Sequence, residues 1–500
     1  MHSRFRPLPL LIGALFAMTS CGGSSTTSNS NVDSTDYSTP FVVNPIVWGA
    51  CEGSASVEVE CGNFEVPFDY SDPEKGSFVL YIKKRNAANQ ADRIGSMLVN
   101  PGGPGFGGSS LADDAQYYFS QDLIDRFDII AWDPRGTGES TPSVDCVDTF
   151  DEYFGLDSPP ETPEEKQALI DASQAFNDKC SENSGTILPY ISTKASAADM
   201  NSIRLALGEE KVSYFGFSYG SELGATWATM YPDTVRAIVL DGAVDPNASS
   251  IQEGMNQAKG FEAQLATFLK QCSERPTCEF HNGGKAEAAF DKLVLDIDDK
   301  PLVVSADRTA VNQGVLFTAV AQAMYSDYYW PQLGEALYDA QLGDGKGLLQ
   351  LYDDYYQRKE DGTYGNELEA FLSISCLDDP GATSVDEVDS HIEEFIAAAP
   401  RLGGNFAYGY SCALWPVPQA SKVAINGNGA GPIVVVGTTG DPATPLDSTR
   451  KMAKGLEQGV LVVVDANQHT GYGANNCVVA AVDNYLINLT VPENELTCKS

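Results

Sequence analysis

Serine, histidine and aspartate occur in this chain of 500 residues at positions where they could cooperate in nucleophilic attack on a carbonyl. Ser218 stands between two glycines in Gly216-Phe217-Ser218-Tyr219-Gly220, a G-x-S-x-G pattern. A free serine hydroxyl attacks poorly at neutral pH, so it needs a base to take its proton and an acid to orient that base. Histidines are scarce, four in all. His2 lies near the start, His281 sits between Cys278 and two glycines, and His391 lies in the polar stretch "VDSHIEEF". His469 alone follows a buried-strand pattern, in the small-residue loop "ANQHTGYG", and is the expected base. Asp441, ending the loop after "IVVVG", is the expected acid, with Asp241, after an earlier apolar run, as the alternative. Asp447 and Asp465 read as a helix-start acid and a strand-end residue. "GDPATP" also reads as a proline-fixed turn with Asp441 as a local cap, and Thr444 either caps or supports the acid.

Attack on a carbonyl builds negative charge on its oxygen, which two preorganised backbone N–H groups can stabilise. Tyr219, next to the serine, supplies one. The glycine-rich loop "NPGGPGFGG" (100–108) supplies the other, expected at Gly103. This loop lacks the Lys-Ser/Thr ending of a phosphate cradle.

These residues need rigid elements to hold them. Val212 to Phe215 reads as a buried strand and Ser221 to Met230 as a helix, with a turn so sharp that the serine between them is strained and projected outward. Similar short β-branched runs occur at Ser77 to Lys84, Ser96 to Asn100, Phe127 to Asp133 and Val235 to Asp241. Two more occur at Pro432 to Asp441 and Val460 to His469. Strands alternating with helical stretches predict an α/β fold with a mostly parallel sheet flanked by helices. Residues 247–414 break the rhythm and read as a helical cap inserted into a catalytic domain of residues 46–246 and 415–500. Such a cap covers the carboxyl edge of the sheet, where ligands bind in these folds.

Composition narrows the function further. The formal charge of −38, from 69 acids against 31 bases, repels phosphate backbones and excludes nucleic acid as a partner. No zinc-type C-x-x-C spacing is present, so neither a metal nor another cofactor is expected. Setting Cys21 aside, eleven cysteines leave ten, an even number that suits an oxidising compartment. Proximity pairs them as Cys51 with Cys61, Cys146 with Cys180, Cys272 with Cys278, Cys376 with Cys412, and Cys477 with Cys498. Residues 1–20 follow a secretory pattern, a basic start and an apolar run. "AMTSC" resembles a bacterial lipoprotein signal, which implies a lipid on Cys21 and a tether over residues 21–45; ordinary cleavage and secretion is the alternative. Nothing later is long and apolar enough to span a bilayer, so membrane contact is expected only through that anchor.

Several ordered motifs together are similar to one known family. "NPGGPG", "DPRGTGES", "GFSYGS", "CALWP", "GTTGDPATP" and "HTGYG" resemble the secreted tripeptidyl aminopeptidase branch of the α/β hydrolases, relatives of the prolyl iminopeptidases. Prolyl iminopeptidases carry histidine where Asn100 stands, which favours the tripeptidyl branch. The resemblance implies an exported serine exopeptidase acting on short peptides or peptide N-termini through Ser218, Asp441 and His469. It also implies structural roles for Asp133 and Arg135 near the glycine loop. That branch includes carboxylesterases, so hydrolysis of acyl esters by the same residues is the alternative, and a catalytically silent binding protein is a third. An aminopeptidase needs carboxylates for the substrate ammonium. Asp378 and Asp379 are candidates, or else a solvated turn before Pro380; Glu222 either contacts substrate or faces solvent.

Overall fold

The computed structural model describes residues 41–52 and 58–499. The expected leader, Cys21 and most of the tether lie outside those residues. Ten strands form one sheet: β1 Gly49–Ala50, β2 Val59–Pro67, β3 Ser77–Arg85, β4 Gly95–Asn100, β5 Phe127–Trp132, β6 Val212–Phe217, β7 Val235–Asp241, β8 Ile433–Thr438, β9 Gly459–Val464 and β10 Leu496–Cys498. Their order is β1-β2-β3-β5-β4-β6-β7-β8-β9-β10, antiparallel from β1 to β5 and parallel from β5 onward.

Burial follows this division. Strands β4, β5, β6 and β8 are buried at every position, as parallel strands covered on both faces must be, and their sequences are near-continuous apolar runs. β3 alternates buried and half-buried residues, the mark of an antiparallel strand with one wet face. β6 runs two residues past its apolar stretch because Gly216 and Phe217 stay in register with Leu240 and Asp241 of β7.

Between β7 and β8 the chain is helical, with Ser250–Glu274, Gln313–Met324, Trp330–Gln341 and Glu367–Asp378 among its longer helices. These surround their own apolar core, including Phe261, Leu265, Phe290, Leu316 and Leu337. The layer also recruits the helix Pro163–Ser184, which precedes β6. That helix starts with a reciprocal capping box between Thr162 and Glu165, and its Asn177 side chain donates to the Ser411 carbonyl at 2.6 Å. The helical layer is therefore drawn from two separate stretches of chain.

Five disulfides join the couples that proximity paired: Cys51–Cys61, Cys146–Cys180, Cys272–Cys278, Cys376–Cys412 and Cys477–Cys498. Such bonds belong to an oxidising compartment. Among the described residues no helix is long and apolar enough to cross a membrane.

Register then sets up the site. Asn100 pairs with Gly216, Phe217 with Asp241, Asp241 with Val436, and Thr438 with Val464. The carboxyl ends of β4, β6, β7, β8 and β9 thus lie level, and the loops leaving them converge.

Candidate active site

Ser218 follows β6 with φ of +55°, a left-handed conformation that a non-glycine residue holds only at a cost of about 1 kcal/mol. Its N–H donates to the Asp241 carbonyl at 2.7 Å, which locks the turn to the neighbouring strand. The helix Gly220–Met230 starts two residues later. Strand and helix come so close that a Cβ on Gly216 would sit 2.3 Å from the Gly220 carbonyl oxygen, which explains the glycines of the pattern.

His469 and Asp441 are both buried and face each other. The imidazole Nδ1 lies 2.8 Å from Asp441 Oδ1 and 2.9 Å from Oδ2. Asp441 also accepts from the Ala443 N–H at 3.0 Å, the Thr444 N–H at 2.8 Å, the Thr444 hydroxyl at 3.0 Å and the Thr470 N–H at 3.3 Å. So many donors fix the carboxylate's orientation, and through it the ring's. Thr444, which the sequence left between a cap and a support, is a support: its N–H and hydroxyl both donate to Asp441, and the helix Leu446–Gly455 that follows has no side-chain cap. His469 Nε2 is buried and has no hydrogen-bond partner among the described residues, Ser218 included. Catalytic hydrogen bonds are often long before substrate arrives and tighten in the complex.

Asp241, the alternative acid, has another task. Its two carboxylate oxygens accept from the Gly471 and Tyr472 amides, each at 2.7 Å, and so anchor the loop that carries His469. Burial pushes this carboxyl up to about 7, against the pull of those two amides. The helical layer holds the same loop from the other side. The His469 N–H donates to the Tyr325 carbonyl at 2.8 Å, and the Asp327 N–H to the Asn467 carbonyl at 3.0 Å. The Tyr325 ring meets the imidazole edge-on at 5.6 Å. No local pattern announces Tyr325, because its contacts depend on a segment more than 140 positions away in sequence being folded over the sheet.

The glycine loop passes beside the serine. A Cβ on Gly102 would lie 2.8 Å from that of Ser218, a clash that only glycine avoids. Asp133 accepts from the Ser109 and Glu139 amides at 2.8 and 2.9 Å and supports the loop from beneath. Arg135 is not at that loop. It is fully buried, paired with Asp199, and donates to the Phe68 and Tyr190 carbonyls at 2.9 and 2.8 Å. It ties β2 to the helix Thr193–Ala206, a role that its closeness to Asp133 in sequence does not reveal.

Ser218, Gly103, Tyr219 and Thr444 line one cavity of about 170 Å³. A wider groove of about 930 Å³ on the helical layer contains none of them. Glu222, Asp378 and Asp379 line the smaller cavity too, joined by Glu253 and Lys422, which sequence reasoning passed over. Glu222 turns toward this cavity rather than to open solvent. Burial raises its carboxyl, with Asp379 adding repulsion and Lys422 opposing. Burial pushes Asp378 up to about 7; hydrogen bonds from Thr193 oppose this and the charge of Glu222 reinforces it. Burial likewise carries Glu253 up to about 8, and its Oε1 has no hydrogen-bond partner among the described residues. Asp379 pairs with Lys422 at 2.7 Å. Asp378 ends the helix Glu367–Asp378, whose negative pole points the same way. An acid in the first turn of a helix is commonplace, so Glu253 gave no signal in sequence.

Among the described residues no cluster of histidine, cysteine and acidic side chains is arranged to hold a metal. What the site contains is a strained serine, an imidazole fixed by a carboxylate, and an acidic cavity, the means for acyl transfer.

Residues 95–473 match the alpha/beta hydrolase fold family, and the chain belongs to that family. Serine protease Hip1 of Mycobacterium tuberculosis is 32% identical over 482 residues, covering 92% of this chain and 92% of that protein. Carboxylesterase B of the same organism is also 32% identical, covering 92% and 91%. Tripeptidyl aminopeptidase of Streptomyces lividans is 28% identical over 472 residues, covering 91% and 86%. Within the family, the chain is a serine hydrolase of the tripeptidyl aminopeptidase-like kind.

Proposed function

We propose that this protein is an exported serine exopeptidase that removes short peptides from free N-termini. Ser218 Oγ attacks the scissile carbonyl while His469 Nε2 takes its proton, and Asp441 holds the ring and stabilises the imidazolium. The Gly103 and Tyr219 amides hold the oxyanion. The imidazolium then protonates the leaving amine, the C–N bond breaks, and an acyl-enzyme forms on Ser218. Water, deprotonated by His469, attacks that ester and releases the peptide acid and the serine.

The observation that carries this reading is the acidic cavity. Among the described residues, four carboxylates, Glu222, Glu253, Asp378 and Asp379, line it beside the nucleophile with Lys422 as the one basic side chain in its wall. A substrate ammonium entering such a site meets charges in a medium far less screening than water. The same machinery would cleave acyl esters, and the likeness to a carboxylesterase keeps that as a second reading. The two separate on Glu222→Gln. In an aminopeptidase the variant's KM rises about tenfold for peptide amides with free N-termini and is unchanged for acetylated ones. Equal effects on both substrates would contradict ammonium binding.

Export with a lipid on Cys21 belongs to the same proposal. Mass spectrometry of the mature protein from a bacterial host is expected to find an acylated Cys21 as its first residue; an unmodified N-terminus would contradict the anchor.

A further inference from the structure

We propose that Lys422 sets the length of peptide released, by closing the passage between the cavity at Ser218 and a second cavity behind it. The proposal rests on the exopeptidase reading above. The second cavity, about 120 Å³, is walled by Thr226, Asp245, Ala248, Val423 and Ile425 among others and contains neither Ser218 nor Gly103. Six residues line both cavities: Glu222, Val244, Ser250, Glu253, Asp378 and Lys422. The two spaces therefore adjoin, and the residues between them include three carboxylates and one lysine.

Lys422 is mounted to act as a plug. It lies in a stretch without helix or strand that is pinned on both sides of it. The Ala420 N–H donates to the Leu377 carbonyl at 2.8 Å, and the Asn426 N–H to the Thr229 hydroxyl at 3.1 Å. From that fixed base a four-carbon stem carries the ammonium to Asp379 Oδ2, 2.7 Å away. Pairing with Lys422 engages Asp379, and Thr193 holds Asp378 through its N–H and hydroxyl, which leaves Glu222 and Glu253 foremost to receive a substrate's ammonium. Glu253 Oε1, buried and without a hydrogen-bond partner among the described residues, is an acceptor with nothing to accept. A peptide threading inward from Ser218 reaches these acids and then a side chain of its own charge. Its N-terminus stops there, and the span from Lys422 to the nucleophile counts the residues cleaved off.

The test gives octapeptides with free N-termini to wild type, Lys422→Ala and Lys422→Arg, and reads product lengths by mass spectrometry. Wild type and Lys422→Arg are expected to share one dominant product length. Lys422→Ala is expected to raise the ratio of longer to wild-type-length products at least tenfold. Adding Ala248→Trp, which fills the second cavity, is expected to reverse that gain. Unchanged product lengths in Lys422→Ala, with cleavage from free N-termini intact, would overturn the proposal while leaving the exopeptidase reading in place. A wild type that cleaves only acetylated peptides or esters would overturn both.

Discussion

Asp441 and Asp241 are two buried carboxylates near one histidine, and their partners divide the work between them. Asp441 holds Nδ1 of the ring and is itself surrounded by donors from Ala443, Thr444 and Thr470. Asp441→Asn, which presents the wrong hydrogen-bonding group to the imidazole, is expected to lower kcat about 10⁴-fold with little change in KM. Asp241 instead holds backbone. Asp241→Ala strands the Gly471 and Tyr472 amides, each worth about 1–3 kcal/mol when buried unpaired. The expected result is a lower unfolding midpoint in urea and a kcat loss well below that of Asp441→Asn. Equal kcat losses in the two variants would contradict the division.

Glu253 connects burial with pH. Its carboxyl rises from 4.5 to about 8 on folding, so the folded chain binds more protons than the unfolded chain between those values. The stability tied to this group is complete below about 4.5 and lost as pH rises through about 8. Glu253→Gln removes that loss, so the difference in Tm between variant and wild type is expected to grow from pH 5 to pH 9. Binding has the opposite slope, because an ammonium needs ionised carboxylates. The KM for free-amine peptides is expected to fall as pH rises through about 7 and 8, the range of Asp378 and Glu253. It rises again as the substrate's own α-amino group, with a pKa of about 8, loses its proton. Acetylated substrates are expected to show neither limb in KM.

The elements explain why these side chains meet. β4, β6, β7, β8 and β9 end level, so loops encoded far apart leave the sheet side by side. That much was readable, because fully covered parallel strands demand apolar runs and a G-x-S-x-G turn needs a strand before it and a helix after it. β2 was not readable: "VECGNFEVP" mixes polar and apolar residues because one of its faces is wet. Nor was the position of Tyr325, whose carbonyl holds the His469 amide through a pairing of the helical layer with the loop. Lys422 gave no signal for the same reason, since a segment without periodicity acquires meaning only from what it is folded against. Tyr325→Ala leaves the backbone bond intact and removes the ring that packs on the imidazole. The expected effect is a lower kcat that falls equally on free-amine and acetylated peptides, unlike the KM effect of Glu222→Gln.

For the molecule as a whole, the disulfides secure parts that the sheet alone does not. Cys477–Cys498 closes a loop with a sequence separation of 21, joining the start of the helix Asn476–Asn488 to edge strand β10. Loop-closure entropy assigns this bond about 3 kcal/mol. The double variant Cys477→Ser/Cys498→Ser is expected to unfold at correspondingly lower urea with kcat nearly unchanged, because neither cysteine touches the cavity. A matching loss of activity in the folded variant would mean that the His469 loop depends on this staple.

The helical layer and the sheet together place a nucleophile beside an acid-lined cavity, and the proposed choice of substrate rests on that arrangement. The most direct measurement compares kcat/KM of the purified protein on tripeptide amides with free and with acetylated N-termini, and on short acyl esters, with Ser218→Ala alongside. The expected result is a preference of at least tenfold for the free amine over the other two and a loss of roughly 10⁴-fold or more in Ser218→Ala. Activity that survives in Ser218→Ala, or that favours acetylated peptides or esters, would contradict it.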